Sequence, residues 1–263
     1  MKINLEDTTF IIAVRLDSIQ RLENTLAVTS QLCKYFDTNV ILAEIADSCN
    51  NILKSLLHRR VNYKFIEDKD DIFHRTYYFN LLVSEIKTPI VALWDTDVVI
   101  DKKTITKAVY EIRTNNAEVA YPYNGIFLET SDILRKYYLK KKDIWILYRN
   151  RSKLELLYNQ LMVGGAVIVN REKYMNAGME NETHYGWGND DFDRYYRFKA
   201  QGYRIYRVNA PLFHLCHPRG DNSLFRSKIF YQLSSGELSK IESSSRQEIE
   251  KFYKLPEAEK VIE

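Results

Sequence analysis

The run Ile90-Val91-Ala92-Leu93-Trp94 is apolar at every position and leads directly into Asp95-Thr96-Asp97. A strand with one wet face alternates apolar and polar residues. A strand with no polar position is buried on both faces, as in the middle of a sheet covered by helices on either side. The segments before it fit that frame. Residues 8–14, TTFIIAV, form a β-branched strand candidate, and Leu22, Leu26, Val28 and Leu32 mark an amphipathic helix from Ile19 to Phe36. NVILAEIA (39–46) reads as a second strand, followed by a helix around 48–58, and VNYKFIED (61–68) as a third. FHRTYYFNLLVSEI (73–86) reads as a helix, and Pro89 then opens the buried run. Strand alternating with helix predicts an α/β fold with parallel strands joined by crossover helices.

Beyond Val99 the pattern loosens. Helices are expected at 105–115 and through the Lys-, Arg-, Tyr- and Leu-rich stretch 132–160, and strands at 163–170 and 203–209, with a loop entering a helix between them at 186–203. The polar tail from Ser234 has helical spacing at Leu238, Ile241, Ile249 and Phe252. The simplest partition is a catalytic domain over 1–233 and a C-terminal helical extension over 234–263.

With 45% hydrophobic and 28% charged residues the chain has the composition of an ordinary globular protein, long enough to bury a sizeable core. A net charge of only +3 gives no support to a nucleic-acid partner. The three cysteines, Cys33, Cys49 and Cys216, show no paired spacing, which argues for a reducing compartment. The apolar run Phe10 to Val14 is too short for a signal peptide or a membrane span, so a cytoplasmic location is expected, at most peripheral to the inner membrane.

Asp95 and Asp97 stand two apart at the carboxyl end of the central strand, where open α/β sheets place their ligands. In an extended chain both carboxylates would face one side and could meet one hard cation. Two aspartates that turn the chain or cap a helix are the plainer alternative. Further on, His214 and His217 lie in PLFHLCHPRGDNS, beside Arg219 and Asp221. The flanking Pro211 and Pro218 argue against a helix, but a histidine on a strand end or loop can complete a mixed oxygen and nitrogen site, which moves metal preference from Mg²⁺ toward Mn²⁺. Taken singly, each is as readily a satisfied core or surface histidine.

Gly186-Trp187-Gly188-Asn189-Asp190-Asp191-Phe192-Asp193 is the most informative stretch. The two glycines permit a tight turn that leaves the indole as a wall for the apolar face of a sugar, and the acids that follow offer a general base for a hydroxyl. The same residues also read as a helix start, with Asn189 as N-cap and acids favoured by the helix dipole. Both readings can hold together.

Taken in order, these pieces resemble the GT-A glycosyltransferases, especially the β-1,4-galactosyltransferase family and its bacterial relatives, over residues 10–220. FIIAVRLDS resembles the family's opening strand and Arg-bearing turn. FHRTYYFN resembles its F-N-R-A-x-x-x-N helix, and WDTDVV its D-x-D strand end. VGGAVIVN followed by GWGNDDFD resembles its F-G-G strand and G-W-G-G-E-D-D segment. The resemblance implies a Rossmann-like mixed central sheet flanked by helices. It implies donor contacts from Arg15, Asp17, Arg75, Asn80, Asp95, Gly164 and Gly165. It assigns Asp191 as catalytic base and Trp187, Gly188 and Asp190 to the acceptor, and gives Asp97, His214 and His217 to the metal, with Asp95 as a further candidate. The implied cofactor is Mn²⁺, with Mg²⁺ as the alternative. The implied partners are a UDP-sugar donor and a saccharide or lipid-linked saccharide acceptor. Met162-Val163 stands where galactose-specific members carry an aromatic residue, so galactose, N-acetylgalactosamine and glucose stay open.

Segment 132–160 has no counterpart in that family. Its Arg135, Lys136, Tyr137, Tyr138, Lys140, Lys141, Lys142 and Trp145 fit either peripheral membrane contact, which the C-terminal helix could share, or a solvated helix face. Two other function classes compete with transfer of a sugar. A metal-dependent nucleotidyltransferase or hydrolase would release pyrophosphate or phosphate, and a non-catalytic carbohydrate-binding module would bind sugar without metal or nucleotide.

Overall fold

The structure is a computed structural model, and it describes residues 1–220, 225 and 227–253, without the side chain of Glu250. Asp221 and the last ten residues of the expected C-terminal extension lie outside the described residues.

In chain order the elements begin β1 (Ile3–Val14), α1 (Ile19–Tyr35), β2 (Phe36–Ala46), α2 (Ile52–Leu56), β3 (Val61–Glu67), α3 (Arg75–Ser84), β4 (Ile90–Trp94), β5 (Val98–Val99) and α4 (Lys102–Arg113). They continue with β6 (Val119–Tyr121), β7 (Phe127–Glu129), α5 (Asp132–Lys141), α6 (Trp145–Asn150), β8 (Glu155–Leu156), β9 (Ala166–Asn170) and α7 (Arg171–Asn176). The last are α8 (Asp190–Ala200), β10 (Ile205–Arg207), β11 (Leu212–His214), α9 (Lys228–Ser243) and α10 (Arg246–Tyr253).

Seven strands form the main sheet in the order β10-β6-β9-β4-β1-β2-β3. The half from β4 to β3 is parallel, as the strand–helix alternation predicts. The mixed character comes from β9, which runs antiparallel to both of its neighbours, β4 and β6. All five residues of β4 are buried, as its apolar run requires. Ser18 caps α1 by accepting from the Arg21 amide, and Asp101 caps α4 by accepting from the Lys103 amide. Phe10 anchors the core, stacked on Phe36 with centroids 6.3 Å apart and edge-on to Trp94 at 5.3 Å.

The reversal of β9 is what builds a site. Trp94 at the end of β4 pairs with Ala166 at the start of β9, so Gly164 and Gly165 arrive beside Asp95. The Asp95 amide donates to the Gly165 carbonyl at 2.8 Å. A second, four-stranded sheet, β5-β11-β7-β8, stands next to it. There β11 pairs antiparallel with β5, which puts His214 opposite Val98, and parallel with β7, which puts it opposite Glu129. The Leu215 amide donates to the Asp97 carbonyl at 2.8 Å.

Segment 132–160 differs from the continuous helix expected of it. It breaks after α5, where Lys142 takes a left-handed φ of 51°, and after α6 a 3₁₀ turn leads into β8. Two of its residues assigned to a surface are buried. The Arg135 guanidinium donates to Asn24 at 2.7 Å, to the Gln20 carbonyl at 3.0 Å and to Glu23 at 2.7 Å, and Tyr138 packs in the core. Asn24 in turn donates to the Leu215 carbonyl at 2.9 Å, so Arg135 braces the chain next to His214. Lys136, Tyr137 and Trp145 do face solvent. Among the described residues, no helix is long and apolar enough to cross a membrane.

Replacing Phe10 by alanine should remove the contact that joins β1, β2 and β4, and lower stability by about 3–5 kcal/mol in urea unfolding. A loss below about 1 kcal/mol would show that this packing is dispensable.

Candidate functional site

A cavity of about 340 Å³ opens at the carboxyl ends of β1 and β4. Its wall draws on the residue after β1 (Arg15), α3 (Arg75), the β4–β5 turn (Asp95, Asp97), the residues before β9 (Gly164, Gly165), the turn before α8 (Trp187, Gly188), α8 itself (Asp190, Asp191) and β11 with the loop after it (His214, His217, Arg219). Two expected donor residues do not line it. Asp17 pairs with Arg21 at 2.9 Å. Asn80 turns the other way, donating to the Glu180 carbonyl at 2.9 Å and to Glu182 at 2.8 Å while accepting from the Glu180 amide. It ties α3 to the loop before α8, as does Thr76 through the His184 carbonyl.

The D-x-D pair is split. Thr96 and Asp97 form a turn between β4 and β5, so the chain is not extended there and the carboxylates part. Asp95 Oδ1 accepts from Arg75 Nη2 at 2.8 Å. Asp97 turns to the histidines, with His217 Nε2 at 3.1 Å from Oδ2 and His214 Nε2 at 3.6 Å from Oδ1. The ligand atoms of Asp97, His214 and His217 all lie within 4.8 Å of one another.

This trio fits a divalent cation. Bonds of about 2.0–2.2 Å to nitrogen and oxygen leave ligand atoms up to about 4.4 Å apart, a small contraction of the spacing present. Both imidazoles aim Nε2 at Asp97 and keep Nδ1 on the outer side. Glu129 Oε1 stands 3.5 Å from His214 Nδ1, which makes no hydrogen bond among the described residues, whereas His217 Nδ1 lies 2.8 Å from the Pro218 carbonyl. An outer partner of this kind fixes tautomer and ring orientation. Burial opposes ionisation of Asp97, but His214, His217 and Arg21 hold it below the ordinary carboxylate range.

On the opposite wall Arg75 gathers three carboxylates. Besides Asp95 it donates through Nη1 to Asp190 Oδ2 at 2.7 Å and stands 3.6 Å from Asp191 Oδ1, with its guanidinium over the Phe79 ring. Asp191 Oδ1 also accepts from Arg194 Nη2 at 2.5 Å, and Arg194 is held by both oxygens of the buried Glu180 at 2.8 Å. The two acids consequently separate. Burial and then Asp191 push Asp190 up to about 7, the Arg75 guanidinium offsetting only part of this. Burial acts on Asp191 as well, but Arg75 and Arg194 outweigh it and keep its carboxyl low. Gly164 is needed here, because a Cβ on it would overlap Asp191 Oδ2.

Trp187 stands partly exposed at the mouth, edge-on to Phe225 at 5.3 Å. Gly186 takes a φ of 88°, in the left-handed region open to glycine. Asn189 occupies the N-cap position of α8 but makes no side-chain cap bond, and Asp190, Asp191 and Asp193 fill the first turn. The N-cap reading of its side chain thus does not hold, since the amide group is directed at Ser234 and Ser235 of α9 instead.

Sequence reasoning missed Glu129 and Arg194. Arg194 carried a signal, since three residues after Asp191 is the same helix face. Glu129 carried none, because its place depends on the β7–β11 register.

Residues 148–218 match the family described as the N-terminal domain of galactosyltransferase. The matched stretch covers β9, α8, β11 and both histidines, and it omits Arg75, Asp95 and Asp97. No curated protein matches the chain. The family match supports a glycosyltransferase role, and with it a nucleotide-sugar donor and a saccharide acceptor. The mixed sheet flanked by helices is consistent with a GT-A-like nucleotide-sugar transferase fold.

Glu129→Gln should weaken Mn²⁺ binding about 10- to 100-fold in calorimetry, with an unchanged circular dichroism spectrum. Unaltered affinity would remove Glu129 from the metal centre.

Proposed function

We propose that the chain is a metal-dependent, inverting glycosyltransferase that moves a hexose, galactose or N-acetylgalactosamine, from a UDP-sugar to a saccharide hydroxyl, in surface polysaccharide or glycan synthesis. The observation that carries this reading is the pairing of two chemistries across one cavity. Asp97, His214 and His217 make a cation-type cluster on one wall, and Asp190 and Asp191 stand at a helix start on the other. The family match over 148–218 supports the same reading.

In the reaction the acceptor oxygen bonds to the anomeric carbon as the bond from that carbon to the diphosphate oxygen breaks. Asp191, the more exposed acid of the pair, takes the hydroxyl proton. Arg75 stands where negative charge gathers on the departing diphosphate. A bound divalent cation, Mn²⁺ in preference to Mg²⁺ given two imidazoles in the set, would supply Lewis-acid stabilisation of that leaving group. Trp187 offers the acceptor sugar an aromatic face, and Arg15, Gly164 and Gly165 face the donor. A second assignment rests on Asp190, whose carboxyl is pushed up to about 7 and so matches the proton affinity a base needs near neutrality.

The proposal includes the partition into a catalytic domain over 1–233 and a helical extension beyond it. It also includes peripheral contact, through Lys136, Tyr137 and Trp145, with a membrane carrying a lipid-linked acceptor.

Asp191→Asn should lower UDP-galactose turnover about 10²- to 10⁴-fold while UDP binding persists, and Asp190→Asn should cost much less. The reverse order would move the base to Asp190. Chelator should abolish release of UDP, with Mn²⁺ restoring it better than Mg²⁺; full activity in chelator would exclude the metal role.

A further inference from the structure

Behind the acceptor wall lies a buried chain of side chains that the proposed chemistry does not use. His184 Nε2 meets Asp193 Oδ2 at 2.9 Å, and His184 Nδ1 meets Ser234 Oγ at 2.8 Å. Serine, histidine and aspartate in that order resemble a nucleophilic triad. Their burial argues otherwise: Ser234 is 4% exposed, His184 1% and Asp193 0%, and none of them lines the cavity. A hydroxyl that no substrate can reach is not a nucleophile.

What Ser234 does reach is the turn that carries Trp187. The Asn189 amide donates to Ser234 Oγ at 3.3 Å, and Asn189 Nδ2 donates to the same oxygen at 3.3 Å. Gly188 lies so close that a Cβ there would sit 2.8 Å from that oxygen. Asn189 is the residue from which α8 starts, immediately before Asp190 and Asp191. The far end of the chain is fixed. Burial pushes Asp193 up, but Arg197 and His184 more than offset it and hold the carboxyl at about 2. Arg197 Nε donates to Asp193 at 2.5 Å, and Asn181 donates to Asp193 at 3.0 Å and to Tyr253 of α10 at 2.9 Å. Ser234 and the ring stay bonded in either ring state, the hydroxyl donating to a neutral His184 and accepting from a charged one. In both states Oγ keeps a lone pair for the Asn189 amide.

We propose that Ser234 is a positioning residue that pins the Gly186–Asn189 turn through the Asn189 amide, making α9 a working part of the acceptor wall. The proposal rests on the glycosyltransferase reading for its effect on turnover, and on geometry alone for its effect on the turn. The free amides at the start of a helix have no partner within the helix, so a side chain from another element that takes one of them ties the two elements at that point. The register of α8, and the direction of Asp190 and Asp191, then depend on a helix more than forty residues further along the chain.

Hydrogen exchange on the metal-free protein tests the turn directly. Ser234→Ala, which alters α9 by one oxygen atom, should raise exchange at the Asn189 and Asp190 amides tenfold or more. The amides of β4, β9 and the middle of α9 should keep their wild-type rates. Ser234→Thr, which keeps the hydroxyl, should stay within threefold of wild type at Asn189. Unchanged exchange at Asn189 in Ser234→Ala overturns the proposal. So does a rise spread evenly over α8 and α9, which would mean loss of helix docking rather than of one pin. With Mn²⁺ and UDP-galactose, Ser234→Ala should lower turnover about tenfold with little change in donor KM; an equal kcat would confine Ser234 to a structural role and overturn it. A wild-type protein that fails to release UDP would instead count against the glycosyltransferase reading, and the exchange result would still decide the pin.

Discussion

One guanidinium sets the layout of the cavity. Arg75 starts α3 and reaches Asp95 on one side and Asp190 and Asp191 on the other, so a single cation ties the end of the central strand to the start of α8. Three carboxylates on one guanidinium leave an excess of negative charge, and a second arginine, Arg194, takes up part of it at Asp191. Arg194 is itself buried and is matched by Glu180. Buried charges of this kind stand only when every member has a partner, and removing one leaves the others exposed to the full cost of desolvation. Asn80, Thr76 and His74 all bind the loop 180–184, which keeps α3 and Glu180 in register with each other. Rigidity around Arg75 is therefore built from several weak bonds rather than one strong one.

The cation-type cluster has a different origin. Asp97 and His214 come from residues far apart in sequence, and only the small sheet brings them together. β5 follows Asp97 at once, β11 ends on His214, and their antiparallel pairing sets the two side by side. The parallel pairing of β11 with β7 then supplies Glu129 behind His214. Arg135 and Asn24 brace the same strand end from below.

How much of this could be read from sequence follows from how local each signal is. The first half, from β1 to β4, is legible because its strands are marked by local apolar runs and pair in a simple parallel order. β4 was clearest, since an apolar run of that kind has few other homes. The short strands β5, β6, β7 and β11 carry no sequence signal, because two or three residues have no period and their strand character comes from pairing alone. Segment 132–160 reads as helix because its composition is amphipathic throughout, and nothing local announces the break at Lys142. Arg135 looked like a surface charge because burial of an arginine depends on partners, here Asn24 and Glu23, that lie in α1. In the site, Asp97, His214, His217, Asp190 and Asp191 do share a cavity as expected. Asn80 and Asp17 do not, since the direction a side chain takes on a helix or turn is decided by packing that spacing alone does not specify.

The charge balance of the cavity also bears on how a donor would enter it. Asp95, Asp97, Asp190 and Asp191 line one pocket, and Arg75 is already shared among three of them. Arg15, Arg21 and Arg219 line the same pocket, so a diphosphate arriving alone would meet arginines as well as these acids, in a setting where partial burial weakens screening. Under the proposed reading, a divalent cation held by Asp97, His214 and His217 would add positive charge locally, because the ligand set brings one negative charge against two positive ones. Donor and cation would then be coupled through electrostatics as well as through contact, each improving the site for the other by the same factor. Arg75 stands between the two groups of acids in that reading. It holds Asp95 on the side away from the cation-type cluster, and a diphosphate that drew the guanidinium toward itself would loosen its grip on Asp190 while Arg194 kept its hold on Asp191.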